Sequence, residues 1–121
     1  QAVRSCGIHF STYFGGGCLY GAGEDNLFLR DCFTNGLRVY STNTVLGVCR
    51  KDASTWFSGC NEKYFYDKGA LMTYLFPHLR HLAALYFAVR VKKHTEIGCL
   101  KRIKLMLAGV RGGKRLEPYQ P

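Results

Sequence analysis

The sequence predicts an α/β domain in which a few short strands precede a helical C-terminal half. Residues 37–41 and 44–49 are rich in β-branched and apolar residues, as strands are, and residues 1–6 suit a third short strand. From residue 61 onward, apolar residues recur at the three- and four-residue spacing of helices. The length of 121 residues fits one domain with one modest core.

Local start and stop signals divide the helical parts of the chain. The predicted helices lie at residues 23–36, 61–75, 79–94 and 95–110. Pro77 separates the second from the third, because proline cannot continue a helix. The glycines at 112 and 113 and Pro118 predict a frayed C-terminal tail.

The charge of the chain is concentrated near its C-terminus. The net charge is +9, from 17 basic and 8 acidic residues, and residues 90–121 alone carry a net +7. Within this part, apolar residues alternate with basic ones: the apolar set is Leu100, Ile103, Leu107 and Val110, and the basic set is Lys101, Arg102 and Lys104. The pattern indicates an amphipathic basic helix that lies on a membrane surface through residues 90–115, or a packed helix with a solvated basic face.

Six cysteines occur at positions 6, 18, 32, 49, 60 and 99, without a Cys-x-x-Cys pair. Their spacing does not support a zinc site. Scattered cysteines in apolar surroundings usually act as small buried hydrophobic residues, which indicates a reducing, cytoplasmic location, peripheral to a membrane if the basic helix binds one. A secreted disulfide-bonded protein is the alternative, and a count of free thiols separates the two.

A glycine-rich segment that ends in two carboxylates is the strongest chemical motif. Residues 13–25 read YFGGGCLYGAGED, and Glu24 and Asp25 open a predicted helix. Successive residues in a helix point about 100° apart, so the two side chains have different roles. One of them could accept a proton from a hydroxyl nucleophile, although acidic residues also favour helix N-termini for capping alone.

The order of motifs around this segment resembles the second half of family 2 glycosyltransferases of the GT-A type. The shared features are an aromatic-glycine pair, a small-residue loop, Gly-Glu-Asp, a helix that ends in glycine, and a following strand. The matching positions are 3–4, 7–10, 14–15, 21–25, 28–30, 36–40 and 104–111. The resemblance covers nearly the whole chain and is most specific at residues 8–40.

This resemblance implies an inverting transfer of a sugar from a nucleotide-sugar donor to the hydroxyl of a glycan or lipid-linked acceptor. It implies that Asp25 is the catalytic base, that Glu24 orients it, and that Gly21 and Gly23 line the acceptor cleft. Residues 1–121 would then be the C-terminal portion of a partial GT-A domain. Residues 1–60 would supply the acceptor-side loop, helix and short strands, and residues 61–121 a helical extension.

Two departures from the family pattern concern the metal and the donor. No Asp-x-Asp occurs in the 121 residues, and the run that begins at Val48 lacks the histidine that many members place there. The resemblance implies a divalent metal (Mn²⁺ or Mg²⁺) and a nucleotide-sugar in the longer enzyme. We expect these 121 residues to bind neither and to be inactive alone.

Cationic and aromatic residues after the predicted strands could complete a sugar-nucleotide site. Arg50, Lys51 and Lys68 could neutralise a leaving diphosphate, as Lys63 also could, and Trp56 could stack on a sugar. Surface charge and core packing are the corresponding structural interpretations.

A basic module that binds nucleic acid or an anionic membrane is the alternative function. It is based on the C-terminal charge and leaves the Gly-Glu-Asp segment unexplained. An incomplete sheet would also expose an edge, which predicts a homo-oligomer through that edge.

Overall fold

The computed structural model describes residues 2–45, 47–48, 59–91 and 95–113, which form five helices. The helices are α1 (Ala2–Ser5), α2 (Glu24–Thr34), α3 (Glu62–Leu75), α4 (Arg80–Arg90) and α5 (Cys99–Gly113). Within these residues the extended pairing is limited to one isolated parallel bridge between Phe14 and Tyr20. This part of the chain is therefore all-helical.

The predicted α/β fold, and with it the partial GT-A domain, is wrong for the described residues. Residues 1–6 were predicted to form a short strand, but they contain the one-turn helix α1. Residues 37–45 and 47–48 are irregular, and Val45 and Val48 are 79% and 90% exposed. β-Branched residues favour a strand only where neighbouring strands and a core cover them, and here they have neither. The sheet edge on which we based the expected homo-oligomer is absent from the described residues.

The helical predictions are confirmed more closely. Helix α2 lies within the predicted residues 23–36, and α3 ends at Leu75 as predicted. The side chain of Asn61 caps α3 by accepting a hydrogen bond from the backbone N–H of Tyr64 at 2.9 Å. The predicted frayed tail is partly wrong, because α5 continues to Gly113.

Helix α3 lies between two hydrophobic clusters and contributes to both. Beside the N-terminal part of the chain, its Ala70, Leu71 and Tyr74 pack with Phe14, Tyr20 and Leu27. On the other side, its Phe65 and Met72 pack with residues of α4 and α5, namely Ala84, Ala88, Met106 and Val110. This central position connects the glycine-rich segment to the helical C-terminal half.

Helices α3 and α5 approach each other so closely that only glycine fits at their crossing. A Cβ atom at Gly109 would overlap the carbonyl oxygen of Tyr66, and one at Gly69 would overlap that of Met106. The hydroxyl of Thr73 donates to the carbonyl of Val110 at 3.2 Å across the same contact. The resulting close backbone packing joins the two longest helices described.

Three observations bear on the predicted location. None of the helices in the described ranges is long and apolar enough to cross a bilayer. Of the five cysteines described, all with free thiols, only Cys32 is buried, so the expectation of small buried residues holds for that one alone. In α5, Arg102 and Val110 are buried, so part of the predicted amphipathic surface helix faces the core.

Candidate functional site

The glycine loop, residues 13–23, folds back on itself in front of α2. The backbone N–H of Gly15 donates to the carbonyl of Tyr20 at 2.9 Å, and the N–H of Tyr20 donates to the carbonyl of Tyr13 at 3.0 Å. These two bonds close a small ring of chain in which Phe14 and Tyr20 are both buried. The loop is therefore ordered by its own backbone and anchored by its aromatic residues.

Three glycines of this loop have backbone angles that other residues rarely adopt. Gly15 has a φ of 129°, Gly17 a φ of 81°, and Gly23, the N-cap of α2, a φ of 131°. A Cβ at Gly23 would also lie 2.8 Å from both methyl carbons of Leu71. Glycine is needed at all three positions for conformation, as the glycine-rich sequence predicted, and at Gly23 also for space.

Glu24 and Asp25 have the different roles that their adjacent positions predicted. Glu24 is half-buried, and its Oε2 accepts a hydrogen bond from the backbone N–H of Gly23 at 2.9 Å. The same carboxylate lies against Gly15, where a Cβ would be 3.4 Å from its Cδ. Asp25 is exposed at the first turn of α2. The carboxylate of Glu24 is therefore hydrogen-bonded to the loop, whereas Asp25 is exposed to solvent.

Asp67 of α3 ties the loop to the central helix. Its Oδ2 accepts the backbone N–H of Gly21 at 2.9 Å and the ammonium of Lys63 at 2.5 Å. Lys63 also donates to the carbonyl of Leu19 at 3.2 Å. Because Asp67 is buried and Lys63 is 61% exposed, the carboxylate is the fixed part of this arrangement.

Lys68 lies in the electrostatic field of both loop-facing carboxylates. Burial lowers the pKa of its ammonium, and the negative charges of Glu24 and Asp67 oppose that effect. Its Nζ also lies 5.6 Å from the ring centre of Tyr64, within reach of a cation–π interaction. Glu24, Lys63, Asp67 and Lys68 together are called the charged cluster below.

Aromatic side chains of the glycine loop and of α3 pack together close to the charged cluster. Phe14 stacks on Tyr20 at a ring-centre distance of 4.7 Å and meets Tyr74 edge-on at 5.5 Å. Tyr20 lies 6.4 Å from Tyr66. Burial, followed by the neighbouring Tyr66, Tyr74 and Asp67, raises the pKa of Tyr20 to about 12. Burial raises the pKa of Tyr74 as well, so the neutral forms of both Tyr20 and Tyr74 are favoured.

Five of the eight site residues predicted from the sequence belong to this region. Gly21 and Gly23 are in the loop, Glu24 and Asp25 open α2, and Lys68 faces the loop from α3. The other three, Arg50, Lys51 and Trp56, lie outside the described residues.

The sequence did not indicate that Asp67 would connect the glycine loop to α3. Lys63 and Asp67 have the spacing of an ion pair on one helix face, which was the available signal. That signal does not predict the contact with Gly21, because 46 residues separate the two in the chain.

No group of three or more His, Cys, Asp or Glu side chains that could hold a metal ion lies together in the described ranges. The divalent metal that the family resemblance implies for the longer enzyme stays a prediction.

Comparison with known proteins gave no match. No protein-family model matches the chain, and no curated protein or solved structure matches it significantly.

Proposed function

We propose that the chain provides the acceptor side of a sugar-transfer site, with Asp25 as the general base. The observation that supports this most directly is the division between the two carboxylates at the start of α2. Glu24 is held by the Gly23 N–H, whereas the adjacent Asp25 is exposed beside an ordered glycine loop. An exposed carboxylate on the first turn of a helix, next to a loop of exposed backbone, is suited to accept a proton from an incoming hydroxyl.

Glu24 acts as a positioning residue in this proposal. Its carboxylate accepts the backbone N–H of Gly23 and lies against Gly15, so it ties the glycine loop to the helix turn that carries Asp25. Asp25 removes the proton of the acceptor hydroxyl as the oxygen attacks the anomeric carbon of the donor sugar. The leaving nucleoside diphosphate departs with the electron pair of the broken glycosidic bond, and the configuration inverts.

The remaining polar groups of the region would bind the acceptor. Lys68, partly desolvated and close to Glu24 and Asp67, offers a hydrogen-bond donor toward sugar hydroxyls. The exposed backbone of Gly16, Gly17 and Gly21 allows a sugar ring to approach closely. Glycan and lipid-linked sugars are the acceptor classes that fit this chemistry.

The donor nucleotide-sugar requires residues beyond the described region. The 121-residue sequence has no Asp-x-Asp, the motif that binds the donor diphosphate and its metal in the family that the chain resembles. We expect sugar transfer only in a protein that also contains a donor-binding segment, and none from the 121 residues by themselves. Asp25 and the loop would contribute the acceptor side to that larger site.

A comparison of three carboxylate-to-amide variants in such a protein tests the proposal. Asp25→Asn should reduce kcat by about a thousandfold or more, in keeping with loss of a general base, while donor affinity stays unchanged. Glu24→Gln should reduce kcat less, because its amide oxygen can still accept the Gly23 N–H. Glu96→Gln, at an exposed carboxylate before α5, is the control and should have full activity. Full turnover in Asp25→Asn would exclude Asp25 as the base.

A further inference from the structure

Helix α4 directs most of its large apolar side chains away from the domain core. Its buried residues are Ala84 and Ala88, both 0% exposed, and Phe87 packs beside them against the core. By contrast, Leu82 and Tyr86 of the same helix are 64% and 66% exposed. A helix on a domain surface normally turns its large apolar residues inward, and in α4 only Phe87 follows that rule.

The exposed apolar residues of α4 share one face, called the outer α4 face. Leu79, Leu82, Tyr86 and Val89 follow each other at steps of three and four residues, which places them on one side of a helix. Leu85 borders this side and is 38% exposed. A continuous patch of large apolar side chains on a surface indicates an interaction site.

Positive charge lies at the C-terminal end of the outer α4 face. Arg90 is exposed in the last turn of α4. The sequence continues with two lysines at positions 92 and 93. No acidic residue occurs in the sequence between Asp67 and Glu96, so nothing along this stretch of chain offsets the cations.

We propose that the outer α4 face binds the surface of an anionic lipid bilayer, with α4 lying in the plane of the interface. An apolar helix face with cations beside it is the pattern by which amphipathic helices insert between lipid headgroups and attract anionic lipids. At 11 residues, α4 fits an in-plane position and is far shorter than the roughly 20 residues needed to span the core.

The charge distribution favours a bilayer over the other partners. A symmetric contact between two copies through this face would bring together two surfaces of the same positive sign, with no acidic residue in this stretch of sequence to offset them, which is unfavourable. Nucleic acid would use the cations but would leave the five apolar side chains uncovered. An anionic bilayer satisfies both features at once.

This site differs from the one that the sequence suggested on residues 90–115. In α5, Val110 and Arg102 are buried, and the large apolar residue most exposed there is Leu100, at 77%. The outer α4 face has five exposed large apolar residues instead of one. The inference is independent of the proposed sugar transfer, since it uses neither the glycine loop nor the charged cluster.

Vesicle co-sedimentation of the 121-residue chain tests the proposal directly. We expect binding to phosphatidylcholine vesicles that contain phosphatidylglycerol and much weaker binding to phosphatidylcholine alone. The double variant Leu82→Glu/Tyr86→Glu should lower the affinity at least about tenfold, because two apolar contacts with the bilayer are lost and two repelled charges are added. Both positions are exposed, so circular dichroism should show an unchanged helix content.

Leu100→Glu is the control for the single variant Leu82→Glu, because each adds one negative charge at an exposed leucine, the one on α5 and the other on α4. It should retain most of the binding, and a loss of affinity equal to that of Leu82→Glu would overturn the assignment to α4. Leu82→Trp should keep the affinity, and its added emission should shift to the blue with vesicles after subtraction of the wild-type signal from Trp56. An unshifted emission would overturn the proposal.

Two further results would also overturn it. The first is a dimer in light scattering that Leu82→Glu/Tyr86→Glu converts to a monomer, which would assign the face to a second copy. The second is binding to duplex DNA with no binding to anionic vesicles, which would assign the cations to nucleic acid.

Discussion

The carboxylate of Asp67 accepts a hydrogen bond from the backbone N–H of Gly21 at 2.9 Å. It joins the middle of α3 to a loop that lies 46 residues earlier in the chain. Asp67 is only 7% exposed whereas Gly21 lies at the surface, so a buried carboxylate holds an exposed turn of the glycine loop to the helical core.

We therefore predict that Asp67→Ala loosens the glycine loop. The variant leaves the Gly21 N–H without its acceptor and should lower the free energy of unfolding by about 1–3 kcal/mol. Hydrogen exchange should show the Gly21 amide losing protection, while the amides within α5 exchange as in the wild type.

Lys63→Ala is the control for this variant. It removes the exposed partner of the same carboxylate together with the hydrogen bond to the Leu19 carbonyl, and surface ion pairs contribute only about 0–1 kcal/mol. The Gly21 amide should remain protected in Lys63→Ala. Equal loss of protection in both variants would mean that the contacts of Lys63, and not the hydrogen bond to Gly21, hold the loop.

The alkaline stability of the protein should depend on Tyr20. Burial raises its pKa from 10.0 to about 12, so the folded protein retains the phenolic proton more tightly than the unfolded chain does. This contribution is complete below pH 10 and is lost as the pH rises toward 12. Its full size, from the shift of about two pKa units, is on the order of 2–3 kcal/mol.

Tyr20→Phe should therefore reduce the loss of stability between pH 10 and 12, as measured by urea denaturation at each pH. Burial also raises the pKa of Tyr64 and Tyr74, which adds to the loss of stability at high pH. It lowers the pKa of Lys68, which makes the folded state more stable as the pH rises. These effects are common to wild type and variant and cancel in the difference. Tyr40→Phe, at a tyrosine that is 77% exposed, should leave the pH profile unchanged. Parallel profiles for wild type and Tyr20→Phe would contradict the prediction.

The parts of this structure that the sequence predicted are those decided within a few residues. Helix α2 follows from its acidic first turn and from the Asn-Gly pair after Thr34, and α3 from its Asn61 cap. The different roles of Glu24 and Asp25 follow from helical geometry alone.

What the sequence did not predict depends on contacts between distant segments. Residues 37–45 have the composition of a strand, but a strand needs partners, and the described residues provide none. The contact of Asp67 with Gly21 and the outward direction of Leu82 on α4 were likewise not predictable, because both depend on how α3, α4 and α5 pack together.

The glycines of α5 give a last prediction, in which two neighbouring substitutions should differ strongly. A Cβ at Gly109 would overlap the backbone carbonyl of Tyr66, whereas one at Gly112 would meet only the hydroxyl end of the Tyr66 side chain. Backbone in the middle of α3 cannot move aside, but a phenol can rotate. We expect Gly109→Ala to lower the free energy of unfolding by about 3 kcal/mol or more, or to prevent folding.

Gly112→Ala should be close to neutral, because up to about 1 kcal/mol of improved helix propensity offsets the displacement of the phenol. Urea denaturation followed by circular dichroism measures both variants. If Gly109→Ala fails to fold, the comparison still stands on Gly112→Ala, which should fold with near wild-type stability. If the two variants have similar stability, α3 and α5 must lie far enough apart for a Cβ at Gly109 to fit beside the carbonyl oxygen of Tyr66, which would contradict the close packing described above.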